Sequence, residues 1–232
     1  MSEHMRVESN DVFTVTRFSQ HSRVERERAW LEHRSQGVGG SDMSTILGLN
    51  KYKTPYALWL EKTGRTTPDD ISDRWAIRKG DVLEGELRRW FRSRHPELRL
   101  TDGTGVSLTS RAHPFMLASL DGFLWDPQTR SHGVLECKTA NMFRAQDWRG
   151  DDGEPVIPAY YRAQVTHYLA VTGWSWGWLV ADVSGPEPLM IRFTRDEDDV
   201  DAVIGEAESF WGFVQRDEPP ELTGADVDEL YP

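Results

Sequence analysis

The stretch Leu135-Glu136-Cys137-Lys138-Thr139 decides how this chain is read. Side chains alternate along a strand, so Glu136 and Lys138 share one face while Leu135, Cys137 and Thr139 share the other. Gly133 and Val134 lead into it. Upstream, Phe115 to Trp125 is a second apolar run, read as one strand, with a single acid, Asp121. Between the two runs, Asp126 to His132 has the composition of a turn. Two strands joined there bring Asp121 and Glu136 together, with Lys138 beside them. Two carboxylates suit a hard divalent cation, and the backbone carbonyl of Cys137 is a further oxygen donor. Such an ion lowers the pKa of a bound water and steadies charge on a phosphate. Lys138 would then orient that water or help deprotonate it. The same residues also fit an ordinary salt-bridged hairpin.

Other candidates lie on helices. A long helix is expected from Ser72 to His95, with Leu83, Leu87 and Phe91 as its apolar stripe and Glu84 beside that stripe. Glu84 is either a third carboxylate for the ion, directly or through water, or a solvated helix charge. Pro158 opens a helix from Ala159 to Thr172, on which Gln164, His167, Tyr168 and Val171 fall near one face. The Gln164 amide can hold a phosphate or a metal-bound water, or lie on the surface.

Arg34-Ser35-Gln36-Gly37-Val38-Gly39-Gly40-Ser41 differs in kind. It sets a guanidinium, a glycine-rich backbone and a hydroxyl at a helix start, where N–H groups and dipole attract anions. It lacks the Lys-Ser/Thr of a Walker loop. The alternative is a tight helix–helix turn. Ser41 or Asp42 is expected to cap a short helix from Met43 to Leu47.

Around these pieces we expect a helix from Phe18 to Arg34 with Val24, Trp30 and Leu31 inward. A helix from Tyr56 to Lys62 follows Thr54-Pro55. A polar loop at 66–70, strands at 98–100, 105–109, 175–183 and 189–193, and a loop from 141 to 158 follow. Trp174, Trp176 and Trp178 alternate and are read as one strand face. A last helix starts at Thr194, with Glu197 completing a capping box. The order of elements is an α/β or α+β mixed-sheet sandwich.

The chain has 232 residues, which suits one domain. Its single cysteine excludes an internal disulfide and a four-thiolate cluster, and fits a reducing, cytoplasmic setting. No apolar run reaches the roughly 18 residues of a membrane span, and the N-terminus does not read as a secretory signal. The formal net charge is −11. It resides at one end: residues 181–232 hold three basic residues against fifteen acidic ones, whereas residues 17–65 hold nine against five. An Arg-rich N-terminal half can still face phosphates.

Taken together, Arg34…Gly39-Gly40-Ser41-Asp42…Tyr52-Lys53-Thr54-Pro55…Glu61-Lys62-Thr63-Gly64 resembles the N-terminal signature of YqaJ-type viral recombinase nucleases, relatives of bacteriophage lambda exonuclease. The likeness continues through Gly80…Leu83-Glu84, Ser119-Leu120-Asp121-Gly122, Leu135-Glu136-Cys137-Lys138-Thr139 and Tyr160…Gln164-Val165…His167-Tyr168-Leu169…Gly173. The resemblance implies the PD-(D/E)XK restriction-endonuclease-like core, a mixed central sheet flanked by helices. It implies hydrolysis of DNA phosphodiesters with one or two Mg²⁺ or Mn²⁺ ions. By position it makes Asp121 and Glu136 metal ligands, Lys138 the catalytic lysine, Glu84 a carboxylate near the metal and Gln164 an amide near the catalytic centre. Arg34 and Ser41, with Gly39 and Gly40, match the holders of a 5′-terminal phosphate. Leu120 stands where the motif's name has proline, which removes no ligand.

The expected activity is a 5′→3′ exonuclease on double-stranded DNA ends, leaving 3′ single strands for phage-type recombination. The alternatives are an endonuclease on the same fold and a non-catalytic DNA-end-binding protein. A single-strand-annealing protein and a homotrimeric ring are the partners the resemblance brings into view. The expected organisation is an N-terminal segment (1–16), one nuclease domain (17–215) and an acidic C-terminal tail (216–232).

Overall fold

The computed structural model describes residues 7–67 and 73–226. Its centre is a five-stranded mixed sheet in the order β3-β6-β7-β8-β9. These strands are β3 (Arg99–Asp102), β6 (Gly122–Asp126), β7 (Ser131–Thr139), β8 (Trp176–Asp182) and β9 (Leu189–Thr194). β7 and β8 run parallel, and the other neighbours are antiparallel. A parallel pair needs a crossover, supplied here by α5 (Ala159–Thr172).

Each face of the sheet is covered. On one, Leu124, Leu135, Cys137, Trp176 and Val180 pack with Leu87 and Phe91 of α4 (Trp75–Arg94). On the other, Val134, Leu179 and Ala181 join Ala163, Val165 and Leu169 of α5, backed by Val203, Ala207 and Phe210 of α6 (Glu197–Arg216). The period-two alternation of β7 therefore sends Leu135 and Cys137 to α4, and Glu136 and Lys138 toward α5.

A second sheet, in the order β1-β4-β5-β2, carries the phosphate-turn candidate. It comprises β1 (Phe13–Arg17), β2 (Val38–Gly39), β4 (Val106–Ser110) and β5 (Met116–Ala118). The sequence reading assigned no element to 13–16, yet β1 pairs with β4 along its length and Phe13 is buried.

Several expectations are corrected. The run 115–125 is two strands in different sheets, β5 and β6, and the chain changes sheet at Ser119-Leu120-Asp121. A continuous apolar run cannot reveal such a switch, because both halves are buried. α1 spans Arg23–Ser35 rather than starting at Phe18, since Ser22 and Glu25 form a capping box there. It leans on the body through one edge, so Trp30 is half-buried while Val24 and Leu31 are exposed. Ser72 and residues 68–70 lie outside the described residues. The loop 141–158 holds a 3₁₀ helix, Met142–Trp148, capped by Asn141 and anchored by buried Trp148. Thr194 ends β9, and Asp196 caps α6 through the amides of Asp198 and Asp199. Trp174 precedes β8 and packs edge-on against Phe13 and Phe123, away from Trp176 and Trp178.

Candidate active site

The pairing of β6 with β7 ends at Gly122 opposite Leu135. Beyond that point the β6-side edge of β7 has no strand partner among the described residues. Asp121, one residue before β6, fills the gap with its side chain: its Oδ2 accepts the amide of Cys137 at 2.7 Å. In an extended strand one residue's N–H and C=O point to the same edge. The Cys137 carbonyl therefore opens toward Asp121, while its thiol packs in the α4-side core and burial pushes its pKa up.

Glu136 is 2 % exposed. Its Oε1 accepts from Lys138 Nζ at 2.6 Å and from Gln164 Nε2 at 2.7 Å. Its Oε2 is buried and receives no donor among the described residues, with the Asp121 carboxyl as its neighbour. The Gln164 amide also donates to the Tyr168 hydroxyl at 2.7 Å. Positions i and i+4 share a helix face, so α5 delivers Gln164 and Tyr168 together.

The electrostatics are those of an acid pair short of positive charge. Burial, then the neighbouring Glu136 carboxylate, pushes Asp121 up to about 8. Burial also raises Glu136, against the pull of Lys138. Burial alone would lower Lys138, but Glu136 and Asp121 together outweigh it and hold the ammonium above its ordinary range.

Glu84 stands on α4, close enough for Asp121 to help burial raise its pKa. Arg88, one turn on, pairs with Glu84 and reaches the Asp121 carbonyl at 3.1 Å and Asp102 at 3.2 Å. Among the described residues no three His, Cys, Asp or Glu side chains gather as a metal cage. The donor set on the β7 edge is thus Asp121, Glu136 and one carbonyl. The Glu136 oxygen that receives no donor among the described residues and the raised Asp121 fit a divalent cation there.

A second cluster adjoins the first through Tyr168. Trp30, His33, Arg34, Gly39, Gly40, Ser41, Ser119 and Tyr168 line a cavity of about 80 Å³. Arg34 Nη2 donates to Ser41 Oγ at 2.6 Å and pairs with Asp42 Oδ1 at 3.0 Å. A side chain at Gly40 would put its Cβ 2.5 Å from the Tyr168 ring, so glycine lets the turn lie against α5. Gly39 has room for a Cβ. Contrary to the expectation that Ser41 or Asp42 caps it, the short helix α2 (Met43–Ile46) has no side-chain cap from Asp42 at its N-terminus. Asp42 turns back to the Gly39 amide, Arg34 and Lys62, and those cations hold it well below the carboxylate range despite burial.

Sequence reasoning missed Asp42 and Lys62 as a buried pair, and missed Arg88. The spacing of Glu84 and Arg88 was a usable signal. The pairing of Asp42 with Lys62 of α3 (Pro55–Lys62) is tertiary and had none.

The helix-flanked mixed sheet, with an acid just before β6 and Glu-x-Lys on β7, has the PD-(D/E)XK-like fold. The chain belongs to the YqaJ-like viral recombinase domain family, whose model matches residues 29–175. Uncharacterized protein YqaJ of Bacillus subtilis (strain 168) is 32% identical over 208 residues, which is 87% of this chain. The chain spans 61% of that relative's length. Among solved structures, the fold is similar to the alkaline exonuclease LHK-Exo of Laribacter hongkongensis, with TM-score 0.64, 19% identity, and 82% of this chain and 93% of that one covered. LHK-Exo in complex with dAMP superposes with TM-score 0.65, 20% identity and the same coverage. A phage related exonuclease from Haemophilus somnus 129PT gives TM-score 0.52 at 13% identity, over 78% of this chain and 94% of that one.

Proposed function

We propose that this protein is a divalent-metal-dependent DNA nuclease, acting 5′→3′ from double-stranded ends and leaving 3′ single strands. The observation that carries the reading is the meeting of Asp121, Glu136 and Lys138 at the open edge of β7, with one Glu136 oxygen buried and given no donor among the described residues. Asp121, Glu136 and the Cys137 carbonyl would hold Mg²⁺ or Mn²⁺, with Glu84 reaching it through water. Such an ion supplies Lewis acidity at a phosphate and lowers the pKa of water. Gln164 fixes the Glu136 rotamer from α5. Lys138, held as an ammonium, orients the attacking water and offsets charge building on the phosphate.

The polarity follows from the second cluster. Arg34, Ser41 and the Gly39-Gly40 backbone supply donors for a 5′-terminal phosphate, in a cavity lined by Tyr168, whose hydroxyl accepts from the Gln164 amide that also holds Glu136. A phosphate seated there sets which phosphodiester meets Asp121 and Glu136. We read residues 17–215 as the nuclease domain. An annealing protein and a ring of three copies remain partners suggested by family resemblance.

The test is digestion of end-labelled linear duplex and of covalently closed circular DNA, with Mg²⁺ or with EDTA. Mg²⁺-dependent loss of the linear duplex from its 5′ ends, with the circle intact, is the expected result. Cutting of the circle would replace the exonuclease by an endonuclease. Absence of Mg²⁺-dependent cutting on either substrate would remove the catalytic reading.

A further inference from the structure

Beneath the Gly39-Gly40-Ser41 turn lies a cation that the cavity does not expose. Lys62 belongs to α3, its side chain is 6% exposed, and it does not line the cavity. Its Nζ sits 2.9 Å from Asp42 Oδ2 and donates to the Arg34 carbonyl at 3.0 Å. We infer that Lys62 is a positioning residue for the 5′-phosphate pocket: it neutralises buried Asp42, and so leaves the Arg34 charge available to an anion. The inference rests on the pocket reading given above.

The argument is one of charge count in a dry place. Asp42 receives three donors: the Gly39 amide at 3.0 Å, Arg34 at 3.0 Å and Lys62 at 2.9 Å. A carboxylate this buried demands a full compensating charge. With Lys62 present, two cations face one acid, and the cluster keeps one surplus positive charge. Without Lys62, Arg34 is the only remaining cation bonded to Asp42, and the cluster becomes neutral. The next acid, Glu61, does not alter the count, because Lys53 holds it at 2.7 Å. The surplus surfaces at Arg34, which is 35% exposed and bonded to Ser41 at the cavity. Lys62 also ties the end of α1 to Asp42 through the Arg34 carbonyl, which fixes where the guanidinium stands.

The readout is the ratio of kcat/KM on 5′-phosphorylated ends to kcat/KM on 5′-hydroxyl ends, measured with Mg²⁺ for the full chain. The variants are Arg34→Ala, Lys62→Met, Lys62→Arg and the double variant Lys62→Met with Asp42→Asn. Lys62→Met is expected to lower the ratio by about tenfold, the worth of one charge-assisted contact, with the loss in KM. Lys62→Arg is expected to retain most of the ratio. The double variant lacks the lysine but has no acid to neutralise, so its surplus charge and its ratio return. A lysine that acted only as packing would leave the double variant as impaired as Lys62→Met.

A wild-type ratio in Lys62→Met, beside a lost ratio in Arg34→Ala, would overturn the inference and spare the pocket. A double variant as low as Lys62→Met would overturn it as well. A wild-type ratio in Arg34→Ala would remove the pocket and this inference together. Should Lys62→Met not fold, the double variant decides alone: the wild-type ratio supports the inference, and the Arg34→Ala ratio overturns it.

Discussion

Replacing Asp121 by asparagine should abolish cleavage and, without metal, make the protein more stable. Asp121 is half-buried as a residue, and its carboxyl, beside Glu136, is pushed up from 3.8 to about 8. An acid whose folded pKa exceeds its unfolded one costs nothing below the unfolded value. The cost grows as pH rises between the two and levels off above the folded value. Here the window runs from about pH 4 to about pH 8. Over the interval up to pH 7, at about 1.4 kcal/mol per unit, the full cost would be about 4 kcal/mol. Solvent screening at a half-buried residue trims this to about 2–4 kcal/mol. Asparagine removes the titration, retains an oxygen for the Cys137 amide and offers an N–H to Glu136 Oε2, which receives no donor among the described residues. At about 2–4 °C per kcal/mol for a chain of this size, Tm in EDTA at pH 7 should rise by about 5–15 °C. The gain should shrink toward zero near pH 4. Differential scanning calorimetry of both proteins in EDTA from pH 4 to pH 8.5 measures it. A variant no more stable than wild type at pH 8, or a gain independent of pH, would refute the claim that Asp121 is strained by uncompensated charge.

Further expectations can be checked alongside. Lys138→Ala should lose cleavage by at least about a thousandfold while keeping its far-UV circular dichroism, because it removes a charge poised for the transition state rather than packing; near-full activity would sink its role. Gly40→Ala should destabilise by about 1–3 kcal/mol in urea, since its Cβ would meet the Tyr168 ring; an unchanged midpoint would contradict the close approach. His167 is fully buried, and burial lowers its pKa to about 4. The unfolded chain therefore takes up the proton first, and stability should fall by up to about 3 kcal/mol as pH drops from 6.5 to 4. His167→Gln should flatten that part of the urea–pH profile, and an unaltered slope would assign the acid sensitivity elsewhere.

Strand β7 was legible because its information is local. Alternation alone placed Glu136 and Lys138 on one face, and helical spacing placed Gln164 with Tyr168. Asp121 was found for a partly mistaken reason. The sequence places it within one long strand, whereas it is the residue at which the chain leaves one sheet for another. That break is what frees its carboxylate to reach the β7 edge. The outward turn of Val24 and Leu31 depends on how little of α1 the body covers. The opposite placements of Trp174 and Trp176 depend on where β8 begins. Asp42 offered a local cap that tertiary partners overrode, and neither Lys62 nor Arg34 signals from sequence that they share its charge. Buried ion clusters of this kind are set by packing of distant elements, so residue spacing does not report them.

The central claim is that Asp121 and Glu136 form a site for a divalent cation. Calorimetric titration of Mn²⁺ into the metal-free protein at pH 7, in buffers of different ionisation enthalpy, tests it most directly. Since Asp121 titrates near pH 8, wild type should bind Mn²⁺ with release of about one proton. Asp121→Asn should lose both the binding and the proton. Equal Mn²⁺ binding by the two proteins, or binding by wild type without proton release, would contradict the account.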